Sequence, residues 1–146
     1  MPDPTDSPAD TPIGPDHLFS GPGRVLVVAY GIFAVAATGR SLVQLGTDAD
    51  RAPLAYSLSL LAGVVYLVAT TCLLLGGRRA WYVAVAACTV EAVGVLAVGT
   101  LSLVATDLFP DRTAWSHFGQ GYGFLPLLLP VAGLAWLRRT SPPRRG

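Results

Sequence analysis

The stretch CTVEAVGV, residues 88–95, sits in the middle of an apolar run from Ala80 to Val104. That run is long enough to cross a hydrocarbon core of about 30 Å as a helix. Glu91 lies 11 residues past Ala80, about 16 Å into such a helix. A charged residue at this depth costs roughly 2.5–3.5 kcal/mol on insertion scales, whereas each Leu or Val returns only about 0.3–0.6. The ten Val and Leu residues of the run offset Glu91 with little margin. Glu91 is therefore expected to face other helices and not lipid.

Three more runs of similar length accompany this one, at residues 25–45, 54–75 and 118–137. In lipid the backbone must satisfy its own hydrogen bonds, so each run is expected to be a helix. The fourth is interrupted by Pro126 and Pro130, which membrane helices tolerate with a kink. The bulk numbers agree with a membrane protein. Of the 146 residues 52% are hydrophobic and 13% charged, about half the usual charged share of a globular protein, and the mean hydropathy is +0.53. The expected fold is all-α: a four-helix transmembrane bundle, up-down and antiparallel because the connections are short.

Residues 1–23 carry six prolines and four aspartates. Such a segment buries too little apolar surface to offset its ordering entropy, so it is expected to be a disordered tail. Residues 140–146 form a short basic tail. All ten basic residues are arginine. In a four-helix topology Arg24, Arg78, Arg79, Arg138, Arg139, Arg144 and Arg145 share one side, and Arg51 and Arg112 the other. The bias places both termini in the cytoplasm of a multi-pass plasma-membrane protein. Trp81, Tyr82 and Trp136 would mark the inner interface, and Tyr56, Trp115 and Tyr122 the outer one. The net charge of +1 gives no basic patch for nucleic acid. The expected partners are the lipid bilayer and either another membrane protein or a second copy of the chain.

The residue types that carry chemistry are few. Arg40 lies about 22 Å into the first helix, within about 6 Å of the level of Glu91 if both helices run the same way. Its planar guanidinium suits a buried carboxylate. An Arg40–Glu91 contact is expected, with Ser41, Gln44 and Tyr66 as polar neighbours. Small residues at Ala55, Ser59 and Gly63 on the second helix, and at Ala84, Ala87, Cys88 and Gly94 on the third, allow close helix approach. The loop before the fourth helix offers Trp115, His117, Phe118 and Tyr122 as an outer surface, read either as a belt of aromatics at headgroup level or as a binding surface over a cavity. Cys72 and Cys88 have no CxxC spacing and read as small packing residues. No metal site and no cofactor are expected, and His117 stands without a second histidine at ligand spacing.

The stretches YGIFAVAATGRS (30–41), APLAYSLS (52–59), VEAVGVLAVGTLSL (90–103) and LFPDRTAWSHFGQGYGFLPLLLP (108–130) resemble those of small four-helix integral membrane proteins of actinobacteria. That resemblance implies four helices and a plasma-membrane location, and it carries no activity. Three functional classes follow from the residues. The leading one is a non-enzymatic scaffold, accessory or assembly protein locked by Arg40 and Glu91. The second is a small dimeric transporter or proton-coupled carrier that uses Glu91. The third is a membrane enzyme acting on lipid or quinone through His117.

Overall fold

The computed structural model describes residues 21–141. The expectation of a disordered N-terminal tail falls almost wholly outside that range, as does most of the basic C-terminal tail. The described residues form four α-helices: α1 Pro22–Thr47, α2 Pro53–Leu75, α3 Gly77–Val104 and α4 Leu125–Arg139. Two short 3-10 segments, Thr106–Leu108 and Ser116–Tyr122, lie between α3 and α4. The first three helices are long and apolar enough to cross a membrane. Their lengths are about 39, 35 and 42 Å at 1.5 Å per residue.

The fourth run differs from the expected single helix over 118–137. It breaks into Ser116–Tyr122 and α4, bent by 98°. The reason is local. Pro126 stands in the first turn of α4, the one helical position where the missing N–H of proline costs nothing. Before it the backbone turns left-handed at His117, Phe118 and Gly119, and again at Gly123 and Phe124. At 15 residues α4 is about 22 Å long, short of a full crossing. By length and composition three helices qualify as spans, or four if the bent pair counts as one.

The helices pack in a ring: α1 on α2, α2 on α3, α3 on α4, and α4 back on α1. Small residues bring them together. At Gly63 of α2 a β-carbon would stand 2.8 Å from the Thr38 amide nitrogen of α1, so the two backbones touch. Ser59 and Ala55, one and two turns earlier on α2, are buried as well. On α3 the buried stripe is Ala84, Ala87, Cys88, Glu91, Val95, Val98, Gly99 and Ser102, recurring at helical spacing. The α2–α3 turn is a single residue, Gly76, and both Gly76 and Gly77 have positive φ, which only glycine adopts freely.

The outward faces are as apolar as the interior. Val25, Ile32, Val35, Leu67, Val93, Leu96 and Val131 are more than half exposed, while Glu91, Ser41, Ser59 and Ser102 are buried. A helix set with Val and Leu outside and its polar groups inside is arranged for a lipid solvent.

Candidate functional site

Glu91 is the one glutamate in the chain. It is fully buried, at 0% exposure, and neither carboxyl oxygen has a hydrogen-bond partner among the described residues. Helical phase brings it there. It shares the inward stripe of α3 with Ala84, Ala87 and Cys88, whose small side chains let α1 and α4 close over it. Tyr30 of α1 and Tyr66 of α2, both at 0% exposure, point their hydroxyls at the carboxyl from hydrogen-bonding directions, just outside the distance and angle of a formed bond. The Tyr30 hydroxyl is within 3.4 Å of Cys88 Sγ, and the Tyr66 hydroxyl is unpartnered. Gly133 of α4 completes the wall. A β-carbon there would lie 3.0 Å from Cys88 Sγ and 3.1 Å from the Tyr30 hydroxyl.

The ceiling over this site is the loop between α3 and α4. Trp115 is only 2% exposed, and its ring occupies the space left by Gly94. Gly94 is one turn past Glu91 and about 15 Å back from the end of α3 at Val104. Trp115 thus reaches down into the bundle, and its indole Nε1 is another buried polar atom without a partner. Phe118 fills the notch left by Gly99 in the same way. The sequence reading placed Trp115 at the outer interface; in the structure its ring is buried against α3, because Gly94 and Gly99 open two slots for the aromatics of the loop.

Irregular backbone buried inside a bundle must be satisfied by protein, and it is. The Ala114 amide donates to Ser59 Oγ of α2 at 3.2 Å, and the His117 amide to Ser102 Oγ of α3 at 2.8 Å. Within the loop, Thr113 Oγ1 accepts from the amides of Trp115 and Ser116 at 3.1 and 2.9 Å, and the Thr113 amide donates to Ser116 Oγ at 2.9 Å. Asp111 fastens the near end of the loop by accepting from the Tyr56 hydroxyl and pairing with Arg51 at 3.5 Å.

Arg40 and Glu91 are not brought together. Arg40 is exposed near the loop end of the bundle and donates from Nη1 to the Tyr122 hydroxyl at 3.0 Å. The expected ion pair gives way because Tyr122, carried inward by the bent segment, offers Arg40 a partner at its own level. Of the expected polar neighbours, Tyr66 does face Glu91. Ser41 is buried but returns its hydroxyl to the Ala37 carbonyl at 2.6 Å, and Gln44 lies at the end of α1, where its carbonyl accepts from the Asp48 amide. Tyr30 was missed by sequence reasoning. Its signal was present, one aromatic hydroxyl on the inward stripe Leu26, Tyr30, Ala34, Ala37, Ser41 of α1.

Above Trp115 a cavity of about 300 Å³ opens at the loop end. Arg40, Arg112, Ser116, His117, Gln120 and Tyr122 are among its lining residues. Between this cavity and Glu91 runs an aromatic wall. Tyr122 packs on Phe33 at 5.6 Å between ring centroids, Phe33 on Tyr66 at 5.8 Å, and Tyr66 on Tyr30 at 6.0 Å. The His117, Phe118 and Tyr122 of the sequence reading therefore share one folded-in segment with Trp115, but Trp115 lies beneath it and not on its surface.

Comparison with protein-family models, with curated proteins and with solved structures finds no match to this chain. The site has to be read from its own chemistry.

Proposed function

We propose that this protein is a small carrier of the plasma membrane, with Glu91 as its proton- or cation-binding group. The carrying observation is that Glu91 is wholly buried with both carboxyl oxygens unpartnered. Intramembrane carboxyls are expensive, and they recur at proton relays and ion paths. Tyr30 and Tyr66 supply hydroxyls from two further helices, so a small cation or a proton at Glu91 would bridge α1, α2 and α3. The scaffold reading drew its support from an Arg40–Glu91 lock, and Arg40 is bonded to Tyr122 instead. The enzyme reading rested on His117, and the loop-end cavity gathers polar groups around it. That cluster is basic and donor-rich, and it suits binding better than bond-breaking.

In this reading the helices alternate up and down as a four-helix bundle, with α4 and the bent segment together as the fourth crossing. Seven arginines against two put both termini in the cytoplasm. The loop-end cavity then opens to the outside.

The test is proton flux in proteoliposomes loaded with a pH-sensitive dye and driven by a potassium–valinomycin potential. Wild-type protein acidifies the lumen, and Glu91→Gln slows this at least about tenfold, as removal of a coupling carboxyl requires. Equal flux in the two proteins, or none in either, returns the reading to a scaffold.

A further inference from the structure

The loop-end cavity is a site of its own, distinct from Glu91, and its chemistry is one-sided. Two of its lining residues, Arg40 and Arg112, are cations without a carboxylate partner among the described residues, where the one ion pair is Arg51–Asp111. The acid next to Arg112 in sequence is thus taken up by Arg51 and by the Tyr56 hydroxyl.

The hydroxyls of the cavity are donors as well, by simple counting. Thr113 Oγ1 already accepts two amide hydrogens, from Trp115 and Ser116. An sp³ hydroxyl oxygen has two lone pairs, so in its 3.0 Å contact with Ser116 Oγ it is Thr113 that donates. Ser116 Oγ also accepts the Thr113 amide. Both its lone pairs are filled, and its own proton is left to donate. Tyr122 also has a proton to give. Its oxygen accepts from Arg40 Nη1, and its proton remains free. Arg40 keeps the remaining N–H groups of its guanidinium, now held in place by Tyr122. Gln120 adds an amide.

The backbone that sets these groups is itself unusual. His117 and Phe118 have φ of 52° and 59°, followed by Gly119 at 79°, and Gly123 and Phe124 are left-handed again at 63° and 61°. Left-handed conformations of bulky residues persist where the surroundings over-determine them, and they cluster at ligand sites. Here the turn is held by the Ser102 bond to His117 and by the packing of Gly119 on the Pro126 ring, 2.7 Å from where a β-carbon would stand.

We propose that this cavity binds a phosphate-type oxyanion, through Arg40 and Arg112 with the Ser116 and Tyr122 hydroxyls donating. Its volume of about 300 Å³ is at the lower end of small-molecule sites, enough for inorganic phosphate or for the phosphodiester of a lipid headgroup. Planar, multi-donor guanidinium groups are the usual match for this anion. The site does not depend on the carrier reading of Glu91.

The experiment uses the full chain purified in a neutral detergent. Its thermal midpoint is followed against inorganic phosphate, with chloride adjusted to hold ionic strength constant. Native mass spectrometry of the same protein, mixed with phosphatidylglycerol or phosphatidylcholine, reads the lipid source. A saturable phosphate-dependent rise in midpoint identifies a free anion as ligand. Selective retention of phosphatidylglycerol identifies a headgroup. Arg40→Gln and Arg112→Gln should each weaken whichever binding is seen by about tenfold. Arg40→Lys should recover part of it, and the remote Arg138→Gln should leave it unchanged. Tyr122→Phe, which keeps the ring and its packing on Phe33, should also weaken it. The proposal is overturned if neither ligand binds to well-folded wild-type protein, or if binding is equal in wild type and the folded Arg40→Gln/Arg112→Gln double variant.

Discussion

Gly94 on α3 leaves the space that the Trp115 indole fills: a β-carbon at residue 94 would stand 2.7 Å from both Cη2 and Cζ3 of the ring. A rigid buried ring cannot retreat from a methyl group without moving the loop that carries it. Gly94→Ala should therefore destabilise the protein by about 1–3 kcal/mol through overpacking. Thermal unfolding in detergent micelles measures the loss, and a red shift of tryptophan emission would report displacement of Trp115.

The α1–α2 contact makes a paired prediction. Gly63 touches the Thr38 backbone, with the amide nitrogen 2.8 Å and Cα 3.1 Å from a hypothetical β-carbon, whereas Gly39 has nothing within 4 Å. Gly63→Ala should cost about 1–3 kcal/mol. Gly39→Ala should be neutral or stabilise by up to about 1 kcal/mol, since alanine is the better helix former. Equal effects at the two positions, read from unfolding in the same micelles, would contradict the helix contact.

Two serines hold the loop down. Ser59→Ala and Ser102→Ala leave the amides of Ala114 and His117 without acceptors, at about 1–3 kcal/mol each. Hydrogen exchange should show the loss locally, as faster exchange at residues 113–118 with the middles of α2 and α3 unaffected. Uniform deprotection of the bundle would mean that the serines act on the whole fold.

Arg40 should couple to Tyr122 and not to Glu91. A double-mutant cycle of Arg40→Gln with Tyr122→Phe should give an interaction of about 0.5–1.5 kcal/mol, the net worth of one hydrogen bond. The cycle of Arg40→Gln with Glu91→Gln should be additive to within about 0.5 kcal/mol. Thermal or denaturant unfolding of wild type, the three single variants and the two doubles decides it.

Much of this was legible in the sequence, because in lipid a run of apolar residues has few structures open to it. The first three helices agree with their expected bounds to within a few residues. Glu91 faces inward, as the insertion cost requires. Pro126 could have been read as a helix start, which would have placed α4 correctly; taking it as a tolerated interior proline ran the helix back to residue 118. The Arg40–Glu91 pairing failed for a different reason. Rise per residue fixes the depth of a side chain in a helix but not which competing partner a distant loop delivers, and Tyr122 is 82 positions away in the chain. The burial of Trp115 has the same origin. Gly94 reads as a helix-packing glycine, and nothing in local sequence says that a loop aromatic will occupy the notch there or at Gly99.

The central claim is that Glu91 is held in the core without a structural partner, for binding. Its most direct measurement is the thermal stability of Glu91→Gln against wild type in detergent micelles. The account predicts a midpoint equal to or above that of wild type, since no partner inside the protein is lost. A fall equivalent to about 3–5 kcal/mol, the cost of breaking a buried charge pair, would contradict it and make Glu91 part of the lock that holds the bundle together.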